Sequence, residues 1–415
     1  MGSSARSQVG VNLGFTVVKS LFILLSLRMA DGLLTVQVMG LALLFRRQGS
    51  LWGNLAQLGA SQCQQKFYTA NPAAEDRQEL WAKLLRWVVL SGVFCILVCT
   101  VFSETVAKTL FSSSNPLLAV AFGIYLAGLA LGFLATSSWM SEFKFVRSNL
   151  IDWLTGSLIF VFCLAIAKWL SATGFFLLLA LLTVVASALF LVWFSVQHGF
   201  RVKLMARDFK LPHNVVQYGI TRSLTSFADM ATVVIGPWML RERPSQAGFL
   251  ILAYTTLRLA QAVVPPMAQV FALRANSHRH NADGEQRRIA WLCGFVFGFS
   301  WVAVALYFLI GSYALELWLP NSHAEVEGVL GELILFMPAI CLFYTLRNHI
   351  DLRFHFPWNL VTLSACLVGF VISLEDLRDS SLSAIVDASK VMFSFFYIYA
   401  AVAVVVILRP GGQRA

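Results

Sequence analysis

Five basic side chains stand where a bilayer would leave them without water. Lys19, Arg46, Arg47, Arg222 and Arg258 each fall inside an apolar stretch long enough to span a membrane, and Arg46 and Arg47 sit side by side near the middle of theirs. A basic side chain at the centre of a spanning helix costs about 2.5–3.5 kcal/mol if it faces lipid. Asp229 is the one acid that falls deep in a span, seven residues from Arg222 on the same helix face. Pairing with Arg222 is one reading of Asp229; coupling to a proton or sodium ion is another. The other basic residues then lack an evident carboxylate. A cavity with surplus positive charge attracts an anion, and guanidinium forks match phosphate oxygens in a bidentate way. The alternative is an internal role, with each charge in a salt bridge or capped by backbone carbonyls.

Helical spacing puts each charge on a polar stripe. One stripe is Asn12, Thr16, Lys19 and Ser26; the next is Arg46, Ser50, Gly53 and Gln57, with Asn54 beside it. A third is Arg222, Ser226 and Asp229, and a fourth is Tyr254, Arg258, Gln261, Pro265 and Gln269. Four such stripes on otherwise apolar helices predict a shared, wet interior. Pro265 and Pro266 predict a break in the helix that carries Arg258, and broken helices recur at transporter sites. Tyr254, Trp52 and Tyr218 are of a type that stacks on sugar rings, although packing is the commoner use of an aromatic in a span.

The elements that carry these stripes are spanning helices. The chain of 415 residues is 58% hydrophobic and 13% charged, with a mean hydropathy of +0.73. This composition predicts an all-α polytopic membrane protein and excludes a β-barrel, whose strands would alternate apolar and polar. Spans are predicted at about 9–28, 33–60, 84–103, 117–139, 150–170 and 173–197, and again at about 214–239, 246–271, 288–312, 329–346, 357–374 and 388–408. About nineteen Lys/Arg then fall on one side against about seven on the other, so that side, with both termini, is expected to be cytoplasmic. The net charge of +10 is thereby read as topology, and no nucleic-acid partner is expected. The basic loop at 274–288 is read as a topology signal or a contact with anionic lipid. The seven Cys and seven His show no metal-ligand spacing; neither a metal nor an organic cofactor is expected.

The basic loop at 198–213 divides the chain into two halves of six spans. The expected organisation is an N-terminal lobe (1–200), a linker (201–213) and a C-terminal lobe (214–415), pseudo-symmetric around a central cationic cavity. VKSL in span one matches TRSL in span seven. Arg46 is followed by Ala56 and Gln57, and Arg258 at the same distances by Ala268 and Gln269. Transporters are commonly built from such repeats.

Against this background, GLALLFRRQGSLWGNLAQLGASQCQQKFYTANP (40–72) resembles the second span and following loop of polysaccharide flippases, with Leu58-Gly59-Ala60-Ser61 at their turn into a basic loop. LAGLALGFLATSSWMSEFKFVRSNLID (126–152) is similar to their fourth span and its loop. The resemblance is to the O-antigen (Wzx-type) flippases of the multidrug/oligosaccharidyl-lipid/polysaccharide exporter superfamily, and it covers nearly the whole chain. It implies transport, without catalysis, of an undecaprenyl-diphosphate-linked oligosaccharide from the inner to the outer leaflet of the bacterial cytoplasmic membrane. Two rocking lobes would do this, in a chain expected to be a monomer, with H+ or Na+ as a possible coupling ion. It also implies cavity-facing basic residues on the first, second and eighth spans, where Lys19, Arg46/Arg47 and Arg258 stand. The chain departs in having two adjacent arginines, which point about 100° apart on a helix.

Three rivals are weighed. A multidrug extruder of the same superfamily would use acids in its cavity, and a polysaccharide polymerase or lipid-linked glycosyltransferase would carry a catalytic outer loop. An exporter of another anionic lipid would need the same basic residues.

Overall fold

The computed structural model describes residues 2–69, 73–200, 211–259, 282–353, 357–374 and 381–408. Among them there is no strand, and each predicted span overlaps one helix, the span at 246–271 only as far as Leu259, since 260–271 lie outside the described residues. These are α1 (Gly2–Leu33), α2 (Val36–Ala56), α3 (Ala74–Val101), α4 (Pro116–Ser141), α5 (Phe145–Ala165) and α6 (Ala172–Gln197). They continue with α7 (His213–Met239), α8 (Pro244–Leu259), α9 (Ala282–Trp318), α10 (323–353), α11 (Trp358–Ile372) and α12 (Leu382–Leu408). Local sequence sets several starts. Thr35 caps α2 by accepting from the Val38 N–H, and Ser171 caps α6 by accepting from that of Gly174. Asn115 caps α4, with Pro116 in the first turn, where its missing N–H costs nothing.

Among the described residues, seven helices are long and apolar enough to cross a membrane: α3, α4, α5, α6, α9, α10 and α12. Helices α2 and α7 fall outside that set despite their 21 and 27 residues. They carry Arg46, Arg47, Arg222 and Asp229, so polar stripes, not shortness, keep them out.

The chain divides into two compact units. One is Leu21–Val234 with Arg241–Gly248; the other is Met1–Ser20, Ile235–Leu240 and Phe249–Ala415. In the first unit α4 is the central helix: its most apolar window is 72% buried, against 28% for α3. It packs along α2, α3, α5 and α6. Phe45, Phe111, Phe122, Tyr125 and Phe176 form one aromatic core, and Trp81, Trp139 and Phe194 another. The other unit repeats this division of labour. The window of α10 is 72% buried and that of α9 is 22% buried. Exposed apolar side chains such as Phe94 and Leu97 on α3, and Phe308 and Leu309 on α9, face outward, where acyl chains would cover them. The third helix of each half is thus the lipid-facing one and the fourth is the core.

The turn after α2 is a tight junction in the first unit. Leu58 and Gly59 both have positive φ, and a Cβ on Gly59 would lie 2.0 Å from the Gly219 carbonyl oxygen. The backbones of the turn and of α7 therefore touch, and both sides need glycine. Gly59→Ala combines an unfavourable φ with a backbone clash. It is expected to destabilise the protein by about 1–3 kcal/mol or more, read as a lower melting temperature in detergent and a lower yield of folded protein. Ala60→Gly, one residue on, carries no such conflict and tests the claim by contrast.

Candidate functional site

Arg46 is placed by three features of its neighbours. Gly49, one turn along α2, leaves room for the Tyr125 ring, which comes within 2.4 Å of where a Cβ would stand. That approach brings the Tyr125 hydroxyl into a hydrogen bond with the guanidinium. On α5, residues Leu154–Leu158 form a π-helical turn, a geometry that shifts backbone carbonyls out of the α-helical ladder. The Gly156 carbonyl in that turn accepts from Arg46 Nη2, and the guanidinium carbon lies 4.1 Å from the centre of the Phe160 ring.

All of these partners are neutral. A hydrogen bond to a charged donor contributes about 1.5–3 kcal/mol and a cation–π contact about 0.5–2 kcal/mol. Together they are of the same order as the insertion cost of about 2.5–3.5 kcal/mol. Arg46 can therefore be held in a span without a carboxylate, and it keeps its charge. A guanidinium has five N–H donors, and these contacts leave some of them available.

The rest of the α2 stripe hydrogen-bonds along its own helix. Ser50 Oγ donates to the Arg46 carbonyl at 3.1 Å, Asn54 Nδ2 to the Ser50 carbonyl at 2.7 Å and Gln57 Nε2 to Asn54 Oδ1 at 3.2 Å. Gln57 is 1% exposed, and among the described residues its Oε1 has no donor. Arg47 is half-buried on the neighbouring face, and Lys19 is half-buried on α1. Trp52 donates to Gln48 Oε1 and packs edge-on against Phe227, so it serves packing.

Arg258, in the other unit, also bonds to a tyrosine. Its Nη2 donates to the Tyr344 hydroxyl on α10, and its guanidinium carbon lies 5.3 Å from that ring's centre. Arg347 approaches the same ring at 6.0 Å. In each unit, then, the arginine of the second helix of a half is bonded to a tyrosine of the fourth: Arg46 to Tyr125, and Arg258 to Tyr344. Tyr254 is 1% exposed, shares a 2.5 Å hydrogen bond with Ser389 and packs edge-on against Phe393.

Arg222 and Asp229 are both buried on α7, at 8% and 5% exposure. Gln261, Pro265, Pro266 and Gln269 lie outside the described residues, as do the side chains of Asn12 and Thr16 on α1. Several residues of interest escape the sequence reading. Tyr125, Tyr344 and Arg347 lie in or beside the fourth span of each half, where a recurring tyrosine is a usable signal. Lys66 lies against Tyr218, 152 residues away, and nothing local announces that contact. Asp31 is 4% exposed; it lies in α1, which runs on to Leu33, past the predicted end of its span.

No family model and no curated protein sequence matches the chain. Solved structures do match it over almost its full length. An inward-facing multidrug resistance MATE family transporter of the MOP superfamily superposes with a TM-score of 0.70 at 15% identity, covering 96% of this chain and 98% of that one. An outward-facing structure of such a transporter gives 0.66 at 14% identity, covering 97% and 96%. A MOP superfamily transporter from Pyrococcus furiosus Vc1 (DSM3638), for which reverse polarity of the binding pocket is said to suggest a different function, gives 0.69 at 14% identity, covering 98% and 96%. The chain is thus a multi-pass membrane protein with the two-lobed fold of about twelve helices that these transporters share.

If Arg46 serves a ligand, its charge is dispensable for folding. Arg46→Met, an apolar replacement among Phe160 and Tyr125, removes the insertion cost of the charge but leaves the Gly156 carbonyl and Tyr125 hydroxyl without that donor, and is expected to cost no more than about 1–3 kcal/mol. Arg46→Lys keeps the charge but cannot reach both the Gly156 carbonyl and the Tyr125 hydroxyl. It is expected to cost about 1.5–3 kcal/mol. Thermal unfolding in detergent compares the two, and collapse of the methionine variant would make Arg46 structural.

Proposed function

We propose that the protein is a flippase that carries a polyprenyl-diphosphate-linked oligosaccharide, such as an O-antigen or related polysaccharide repeat unit, from the inner to the outer leaflet of a bacterial cytoplasmic membrane. The observation that carries this reading is Arg46: a guanidinium within a span whose described partners are a carbonyl, a phenol and an aromatic ring. A charge kept in a span without neutralisation is suited to an anionic ligand. Arg258, bonded to Tyr344, supports the same reading, and Lys19, Arg47 and Arg222 add positive charge. The diphosphate is the group these side chains would bind, and the polyprenyl tail would remain in lipid. The orientation read from the loops puts both termini in the cytoplasm.

Transport would proceed by alternating access, consistent with the inward-facing and outward-facing structures of this fold. An inside-negative potential favours outward movement of an anion by about 2.3 kcal/mol per charge per 100 mV. Proton or sodium exchange at a buried acid would add to that drive. A second reading, a cation-coupled exporter of the multidrug type, draws on the buried carboxylates Asp31 and Asp229. A carboxylate can serve either reading, whereas Arg46, held by neutral groups, favours the first.

Lipid analysis of cells tests the proposal. A null strain and strains carrying Arg46→Ala or Arg258→Ala are expected to accumulate the same polyprenyl-diphosphate glycan on the cytoplasmic side, and its sugars would identify the cargo. Absence of any lipid-linked glycan in the null strain would overturn the assignment.

A further inference from the structure

A second basic cluster lies past the end of α2, away from Arg46. The Gly59 turn presses against Gly219 of α7, and the segment that follows is pinned there twice. Cys63 Sγ donates to the Val215 carbonyl at 3.3 Å, and Gln62 Nε2 donates to Ser226 Oγ at 3.3 Å. These contacts deliver Lys66, in a π-helical turn over Gln64–Tyr68, onto the face of Tyr218. The Lys66 ammonium lies 4.0 Å from the centre of that ring, and the Arg222 guanidinium carbon lies 5.4 Å from it. Phe67 closes the ring's edge in a T-shaped contact at 5.6 Å.

Two cations thus share one ring. Lys66 is exposed, whereas Arg222 is 8% exposed, an arrangement open to solvent on one side with a buried charge behind. Burial and then the positive charge of Arg222 push the Lys66 amine below its ordinary value, and only the Cys63 thiol acts in the opposite sense. Among the described residues, no carboxylate acting on Lys66 itself relieves this repulsion. An anion placed against both cations would remove it, and phosphate oxygens suit a guanidinium beside an ammonium.

We propose that Lys66, Arg222 and Tyr218 form a binding site for a phosphate or diphosphate group at the inner ends of α2 and α7. The inference rests on the reading of Arg222 as a phosphate-binding residue and adds Lys66 as its partner and Tyr218 as the surface that aligns them. The site would receive the headgroup before it reaches Arg46, which lies 20 residues earlier on the same chain segment. Its position at the predicted inner end, with an exposed lysine, fits capture and not passage.

The test is calorimetric titration of the purified full-length protein with inorganic pyrophosphate, in the wild type and in an Arg46→Ala background. A parallel arm uses nanodiscs of phosphatidylcholine with or without phosphatidic acid, to separate a free anion from a lipid headgroup. Lys66→Gln is expected to weaken binding roughly tenfold in at least one arm and in both backgrounds, and Lys66→Arg to restore it at an unchanged melting temperature. Sensitivity to pyrophosphate identifies a site for a free diphosphate, and sensitivity to phosphatidic acid alone a site for a lipid headgroup. If Lys66→Gln alters neither arm, the site does not exist. Because the readout is binding by purified protein, it stands or falls independently of whether cells lacking the protein accumulate a lipid-linked glycan.

Discussion

The structure turns on how a full positive charge is kept inside a spanning helix. Arg46 is held by a carbonyl that a π-helical turn turns toward it, by a phenol that Gly49 lets approach, and by the face of Phe160. These groups offset the cost of insertion without cancelling the charge. A carboxylate would have done the first task and undone the second. The glycine in α2, the irregular turn in α5 and the tyrosine in α4 become intelligible together, as parts of one setting that holds a cation.

One part of this arrangement, the arginine–tyrosine pair, recurs on the other half of the chain. Arg258 is joined to Tyr344 as Arg46 is to Tyr125, from second helix to fourth in each case. The recurrence matches the burial pattern, in which α4 and α10 are the core helices and α3 and α9 present apolar side chains outward. A core helix is the right place for the tyrosine, because its position is fixed by packing on several sides. The repeat therefore extends from helix order to side-chain chemistry, although the helix-two sequences around the two arginines share little beyond the arginine and a later Ala-Gln pair.

What could be read from the sequence follows from which signals are local. Spanning helices are announced by apolar runs, and the helix starts by Thr35, Asn115 and Ser171, so the described helices lie close to the predicted spans. The stripe on α2 was readable for the same reason, and Arg46 and Arg258 were matched by their spacing to a later Ala-Gln pair. The partners of the charges were not. Tyr125 and Gly156 reach Arg46 only through packing of three helices, and Lys66 meets Tyr218 only because Gly59 and Gly219 let two backbones touch. Asp31 was hidden by a helix that continues past its apolar run, and the internal hydrogen bonding of the Ser50, Asn54 and Gln57 stripe is a property of geometry that composition does not encode.

The central claim is that the spans carry charge for an anion. The most direct measurement is transport by the purified protein in proteoliposomes, comparing a fluorescent short-chain polyprenyl-diphosphate sugar with an organic cation under an imposed membrane potential. The account predicts movement of the diphosphate toward the positive side, loss of that movement in Arg46→Ala, and no transport of the cation. Transport of the cation, with the diphosphate left behind, would contradict it.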